Sequence, residues 1–327
     1  MKRREFIALL GAASLDWPTA TPAQPADKLH RIGYLSLGSP AAEATRFDAF
    51  RAGLAALGHV EGKNLAIETR WLDGRAYDQL AALAAELVDL KVDVIVTYAT
   101  PGVRAAQRAT TQTPIVFATI GDAVAVGVVA SLARPGANVT GTTYFLPELA
   151  TKRLEWLKEA VPGLGRAGVL FNPANPAAEP VLAALRSTAT SLKLALSEFP
   201  VREATGLEAV FAAMAATPVG GFVVTEDPML IYNTEASAKL ALKHRLAACG
   251  FPEFAEAGGL VAYGIDFPEM WRRAATFVDK ILKGAKPADL PVEQATKFLT
   301  VVNLQTAKAI GVELPTSLLL RADQVIE

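Results

Sequence analysis

The sequence predicts an α/β protein: two lobes, each built on a parallel sheet, joined by a hinge of three chain crossings. Three observations carry this prediction. From Arg31 onward, short apolar strands alternate with amphipathic helices, the pattern of a parallel sheet covered by helices on both faces. The alternation runs through once, breaks near residue 140 and restarts, so it describes two units of similar plan. The chain has 327 residues, 51% of them hydrophobic, which is about twice the usual ~150 residues of one domain and enough apolar material for two cores.

In order, "RIGYLSL" reads as a strand. "EATRFDAFRAGLAALG" is a helix with Phe47, Phe50, Leu54 and Leu57 on one face. "NLAIETRW" is the next strand, and "YDQLAALAAELVDL" a helix carrying Leu80, Leu83, Leu87 and Leu90 on one side. "VDVIVTY" is a strand, "GVRAAQRA" a short helix and "PIVFATI" a strand. The second unit opens with strand "RAGVLFN" and helix "AAEPVLAALRSTATSL", then strand "LALSEFPV" and helix "GLEAVFAAMAA". Strand "GGFVVTE" leads into one long helix, "MLIYNTEASAKLALKHR", followed by shorter strands at "GFPEFA" and "GLVAYG".

The first crossing is expected around residues 140–147 and the second near Gly264-Ile265-Asp266. After it, the helix "PEMWRRAATFVDKILKG" returns to the first lobe and "ATKFLTVVNLQ" crosses back. The expected division is therefore 30–144 plus 266–296 for lobe 1 and 145–265 plus 297–327 for lobe 2. Ligands of open α/β sheets bind at the carboxyl ends of the strands, and two facing lobes make those ends one cleft that closure can seal.

Residues 1–29 are of another kind. "MKRREFIALLGAAS" has a basic start and an apolar run too short to span a bilayer, the layout of an export signal followed by a lead-in. Arg3-Arg4 followed by Glu5-Phe6-Ile7 resembles a twin-arginine signal, which predicts a periplasmic protein. Among the rest, a net charge of −1 gives no electrostatic footprint for nucleic acid or an anionic membrane. One cysteine, Cys249, rules out an internal disulfide and a cysteine metal site, and His30, His59 and His244 are too scattered for a histidine-based one. Neither metal nor cofactor is expected.

Motifs of catalysis fail on context. "GLGRAG", Gly163 to Gly168, has the letters of a dinucleotide fingerprint, but a helix precedes it and a strand follows, the reverse of what the fingerprint needs. "GHVEGKN" has the wrong spacing for a P-loop and reads as a glycine helix stop, with His59 in the turn. No G-x-S-x-G elbow occurs, and neither Ser36 nor Ser39 has a histidine that the strand order would bring close. A binding protein rather than an enzyme is the expectation.

The strand ends hold the candidates. Ser39-Pro40, Thr100-Pro101, Asn175-Pro176 and Asp227-Pro228 each place a capping side chain before a proline, which suits a helix start. The same N-termini offer free N–H groups and partial positive charge to a carboxylate. Asp122 and Asp227 can each cap a helix or pair with an ammonium group. Tyr34, Tyr98, Tyr144 and Tyr263 near strand ends can either close the core or stack on a ligand ring. Glu256 falls in a loop near the same rim. Cys249 reads as a small buried hydrophobe after a helix ending in "LAAC", and His244 as the C-terminal end of its helix.

Taken together, "RIGYLSLGSP", "AFRAGLAALGHVEGKN", "LVDLKVDVIVTYATP", "PIVFATIGDAV", "GVVASLARPGANVTG", "KRLEWLKEAVPG", "VLFNPANP", "EFAEAGGLVAYG" and "VDKILKGAKPADLPVEQATKF" resemble the ABC-transporter substrate-binding proteins of the type I periplasmic-binding fold. The likeness is to the branch that includes tryptophan- and tyrosine-type binders, and it runs from about Arg31 to Glu327. It implies two Rossmann-like lobes and a monomeric, non-enzymatic receptor. That receptor traps a small carboxylate-bearing solute, an aromatic or branched-chain amino acid or related aromatic acid, and delivers it to an ABC permease. Carried onto this sequence, it implies a pocket of Ser36, Thr100, Asp122, Asn172, Asp227 and Tyr263. The chain departs from the family at Tyr98, where glycine is common, at Ala123, where proline is common, and at Tyr144 and Phe145, where a polar residue is common. Tyr98 and Tyr144 therefore join the expected pocket as bulk that narrows it. The competing readings are a ligand-sensing domain for a membrane partner and a two-lobe enzyme. A repressor of similar plan would need a DNA-binding module before Arg31.

Overall fold

The computed structural model describes residues 29–327; the expected export signal lies outside them. The chain runs β1 (His30–Ser36), α1 (Pro40–Ala56), β2 (Leu65–Trp71), α2 (Leu80–Asp89), β3 (Val94–Thr97), α3 (Ala99–Ala109), β4 (Ile115–Gly121) and β5 (Val139–Tyr144). It continues with α4 (Leu146–Ala160), β6 (Arg166–Phe171), α5 (Ala178–Ser191), β7 (Ala195–Pro200), α6 (Leu207–Ala216), β8 (Gly221–Val224), α7 (Pro228–Tyr232), α8 (Thr234–Lys243), β9 (Ala247–Gly250), α9 (Pro252–Glu256) and β10 (Val261–Ile265). Then come α10 (Phe267–Leu282), β11 (Glu293–Gln294), β12 (Phe298–Asn303), α11 (Leu304–Ile310), α12 (Thr316–Leu319) and β13 (Gln324–Ile326).

The strands form two sheets, one of order β11-β5-β4-β3-β1-β2 and one of order β13-β12-β10-β9-β8-β6-β7. Every residue of β3, β4, β5, β8 and β9 is buried, as expected of strands covered on both faces, whereas the edge strands β2 and β7 are only partly covered. Pairing is parallel except for β12, which runs antiparallel to β10 because the chain enters it from the other lobe. The chain passes between sheets after β5, after β10 and between β11 and β12. α10 belongs to the first sheet's side: Met270, Trp271, Ala274, Ala275, Phe277, Val278 and Ile281 form its buried stripe at helical spacing. It packs beside α1, where Trp271 Nε1 donates to the Tyr34 hydroxyl at 2.7 Å and His59 Nε2 meets Asp279 Oδ1 at 2.8 Å. His59 is thus a buried tie between helices, more than a turn residue.

Three local expectations are corrected. The long helix over Met229–Arg245 is two helices, broken at Asn233, and α8 ends at Lys243 with His244 as its cap. Cys249 lies in β9 rather than after a helix, although it is fully buried. "GFPEFA" is the last residue of β9 followed by the short helix α9, because Pro252 can start a helix but cannot donate to a ladder.

β4 carries an irregularity that matters later. Its register with β5 shifts between Phe117 and Ile120. Opposite, Gly141 has φ +150°, and a Cβ there would lie 2.0 Å from the Phe117 carbonyl oxygen, so only glycine fits. The bulge releases Ala118 and Thr119 from the ladder beside the cleft, a place where bulges re-aim side chains. No helix among the described residues is long and apolar enough to cross a membrane.

Candidate functional site

Each sheet has a point where strand order reverses: β1 lies between β2 and β3, and β6 between β7 and β8. The loops at those points open a crevice at the carboxyl ends of the strands. They are the turn from β1 into α1 and the entry to α3 in one lobe, and residues 172–177 and 225–228 in the other. The two sets face each other across a cavity with about 440 Å3 of unfilled space, mouth included, of which only about 30 Å3 can hold the centre of a water molecule. Five aromatic rings line it, Tyr98, Tyr144, Tyr232, Phe267 and Trp271, with Thr100, Thr119, Asn175, Glu226 and Arg46 as its polar groups.

The lobes touch through polar contacts. Glu43, on α1 and fully buried, accepts from the Tyr34 hydroxyl at 2.9 Å and the Tyr98 hydroxyl at 3.1 Å, both within its own lobe, and from the hydroxyl of Tyr232 at the end of α7 opposite. The Tyr232 and Tyr98 hydroxyls also meet. The Tyr232 ring lies against Gly38, where a Cβ would come within 2.8 Å of it. Tyr77, in the 3-10 turn before α2, donates to Asp227 across the cleft at 2.9 Å. Arg46 reaches Glu253 of α9 at 3.2 Å. These contacts hold the lobes closed on the cavity.

Burial governs the protonation of this network. It pushes the Glu43 carboxyl up from its ordinary range, against the pull of Arg46 and the tyrosine hydroxyls. Burial and the nearby Glu43 raise the Tyr98 and Tyr232 hydroxyls, which stay neutral donors. The guanidinium of Arg46 sits 4.8 Å from the centre of the Phe267 ring, 5.7 Å from Tyr232 and 5.8 Å from Trp271, and its charge is secure. In the other lobe, Arg153, wholly buried on α4, grips Glu226 with two N–H donors and also donates to the Tyr263 carbonyl at 2.7 Å.

Of the residues expected at the site, the structure brings Tyr98, Thr100 and Tyr144 to the cavity wall. Ser36 stands behind Tyr98: its Oγ lies 3.0 Å from the Tyr98 hydroxyl, which also accepts from the Leu37 and Gly38 N–H groups at 2.7 and 3.1 Å. The N–H groups at the end of β1 are therefore used by Tyr98 and not left for a ligand. Asn172 and Asp227 form an inner layer. Asp227 accepts from Asn172 at 3.1 Å, Asn175 at 3.0 Å, Tyr77 and the Met229 N–H at 3.0 Å, so it caps α7 and has no capacity left for an ammonium group.

Asp122 is half-buried with φ +35°, caps Ala125 at 3.0 Å and does not line the cavity. Tyr263 stacks between Trp156 and Phe298, at 6.4 and 5.9 Å, and is likewise absent from the cavity wall. Its strand alternation turns that side chain to the other face of the sheet.

The capping pattern is mixed. Ser39 caps α1 by accepting from Ala42 at 3.2 Å. α3, however, starts at Ala99, with Thr100 and Pro101 already in its first turn and Ala99 itself at φ +53°. Asn175 accepts from Ala177 at 3.0 Å ahead of α5 rather than capping it directly. The sequence reading missed Glu43, Arg46, Tyr77, Glu226, Tyr232 and Trp271. Only Glu226, next to Asp227 at a strand end, stood in a stretch already under suspicion. Among the described residues, no group of three or more His, Cys, Asp or Glu is placed to hold a metal.

Two switch-point crevices closed on one small cavity define a two-lobe solute-binding protein of the type I periplasmic-binding class. Residues 37–326 match the family described as ABC transporter substrate binding protein, and the chain belongs to that family. Its members are exported solute receptors rather than enzymes. The chain is 24% identical over 233 residues to the "Tyrosine-binding protein" of Clostridioides difficile (strain R20291), which covers 71% of this chain and 67% of that one. Among solved structures, a conserved domain protein from Vibrio cholerae is 27% identical with a TM-score of 0.85, covering 91% of this chain and all of that one. A domain from Streptococcus pneumonia in complex with L-Trp is 25% identical with a TM-score of 0.83, covering 91% and 99%.

Proposed function

We propose that this protein captures one small carboxylate-bearing solute by lobe closure and hands it to an ABC permease. The solute is an aromatic or branched-chain amino acid or a related aromatic acid. The observation that carries the reading is the cavity itself: five aromatic rings around an enclosed space, with the Arg46 guanidinium and the first turn of α3 on its wall. Rings supply an apolar, flat-sided container, and a guanidinium with helix N–H groups suits a carboxylate. The tyrosine- and tryptophan-binding relatives support an aromatic solute.

In this reading the lobes divide at 30–144 plus 266–296 and 145–265 plus 297–327. Tyr98, Thr100 and Tyr144 touch the solute, and Ser36, Asn172 and Asp227 hold the walls that do. The protein works as a monomer in the periplasm, exported through its twin-arginine-type start.

The test is a thermal-shift screen of the purified chain against amino acids and aromatic carboxylates, followed by calorimetric titration of whatever stabilises it. At a ligand concentration of 100 Kd, binding adds about 2.7 kcal/mol of stability, a shift of a few degrees. A chain that no acid-bearing solute stabilises does not have this function.

A further inference from the structure

We infer that the solute is an aromatic carboxylate lacking an α-ammonium group, anchored by Arg46. The inference rests on the proposed capture of a carboxylate and narrows it to one class.

An amino-acid ligand brings two charges into the cavity and needs a partner for each, because an unpaired buried charge is strongly disfavoured. Of the acidic groups around this cavity, Glu43, Asp227 and Glu226 are already engaged, and Glu253, which meets Arg46 through Oε1 and keeps an unpartnered Oε2, does not line it. Glu43 is enclosed by three tyrosine hydroxyls and does not line the cavity. Asp227 accepts four hydrogen-bond donors in the layer behind it. Glu226 does front the cavity, but Arg153 holds both of its oxygens and cancels its charge in place. Asn175, the remaining amide on the wall, spends its Nδ2 on Asp227 and its Oδ1 on the Ala177 N–H.

Donors, by contrast, are in surplus. Arg46 is 8% exposed, and among the described residues only its Nη2 has a hydrogen-bond partner, which leaves Nε and Nη1 for a ligand. Each lies beside Nη2 on a different edge of the planar guanidinium, so a carboxylate can pair with one of them together with the second Nη2 hydrogen. Thr119, set on the wall by the β4 bulge and 4% exposed, has a hydroxyl with no partner. Thr100 makes no side-chain hydrogen bond among the described residues and stands at the first turn of α3 on the same wall. The wall thus offers a guanidinium to an anion and no free carboxylate to a cation.

Size agrees. Tyr98 fills the end of the crevice at β1, and the space left, about 30 Å3 for water centres, is that of two or three waters at ~10–15 Å3 each. A single ring with a short acid chain asks for less widening than an indole with a full amino-acid backbone.

The experiment is calorimetric titration of the purified chain, freed of bound solute, with matched pairs. These are 3-phenylpropanoate against L-phenylalanine and 3-(4-hydroxyphenyl)propanoate against L-tyrosine, with 3-phenylpropanamide as the uncharged control. We expect each des-amino acid to bind at least tenfold tighter than its amino acid, and the amide at least tenfold more weakly than the acid. Arg46→Gln, folded by circular dichroism, should lose at least tenfold for the acid. An amino acid that binds as tightly as its des-amino partner overturns the inference and leaves carboxylate capture standing. Failure of both series overturns the inference, and the thermal-shift screen against the wider set of acids then decides whether capture falls with it. The comparison on the unsubstituted protein decides the solute class even where Arg46→Gln fails to fold.

Discussion

Removing one oxygen atom at Tyr232 tests whether the cross-cleft contacts hold the lobes closed. In Tyr232→Phe the ring remains against Gly38 and beside the Arg46 guanidinium, so packing is kept and only the hydroxyl is lost. That hydroxyl is the donor that the far lobe supplies to Glu43; Tyr34 and Tyr98 belong to Glu43's own lobe. A hydrogen bond to a charged group is worth about 1.5–3 kcal/mol. At 1.4 kcal/mol per factor of ten, closure weakens by roughly 10- to 150-fold. Where the free protein is mostly open, the whole factor appears as a higher Kd, because the apparent affinity scales with the closed fraction. Where the free protein is mostly closed, the same loss appears first as opening, an increase in radius of gyration by small-angle X-ray scattering. The assay is therefore titration calorimetry and scattering on the same preparations, with far-UV circular dichroism to confirm that both lobes stay folded. An unchanged Kd together with an unchanged radius of gyration would refute the reasoning, since the bond then contributes nothing to closure.

Two further expectations follow from buried charge. Arg153→Met strands Glu226 and should lower stability to denaturant by about 3–5 kcal/mol, whereas Arg153→Met with Glu226→Leu should recover most of that loss; a double variant no better than the single one would place the cost in lost packing instead. Glu43, raised by burial, contributes stability that is fully present below the ordinary carboxylate value near 4.3 and is lost as pH rises through its higher folded value. Gln at this position does not titrate, so the stability advantage of the native chain over Glu43→Gln should shrink as pH climbs above about 4.3. A difference in unfolding midpoint that stays flat from pH 4 to pH 8 would rule this out.

The fold was legible because each element reports its environment within its own length. The buried runs of β3 and β4 and the striped face of α10 depend only on period, and period survives in a single sequence. The cap of α1 at Ser39 and the cap of α7 at Asp227 were legible for the same reason: a capping side chain bonds N–H groups two or three residues away. The break at Asn233 was not, since nothing local distinguishes two short helices from one long one.

The site was legible only down to its strand ends. Glu43 and Arg46, three residues apart on α1, read as an ordinary charged pair on a helix face. They are buried because α7, α9 and α10 arrive over that face from more than 180 residues later in the chain. Helical period tells which side of α1 meets its own sheet, and it carries no information about what a second lobe brings to another side. Asp227 shows the converse. Its type and position suggested an ammonium partner, yet Tyr77, Asn172 and Asn175, which lie 150, 55 and 52 residues away in sequence, use up its oxygens. Whether a carboxylate is free for a ligand depends on how many donors reach it, and that number is set where the lobes meet. Which polar groups stay free in the cavity is therefore set by long-range contacts, Tyr98 over the end of β1 within one lobe and Arg46 beside Tyr232 of the other, more than by any local motif.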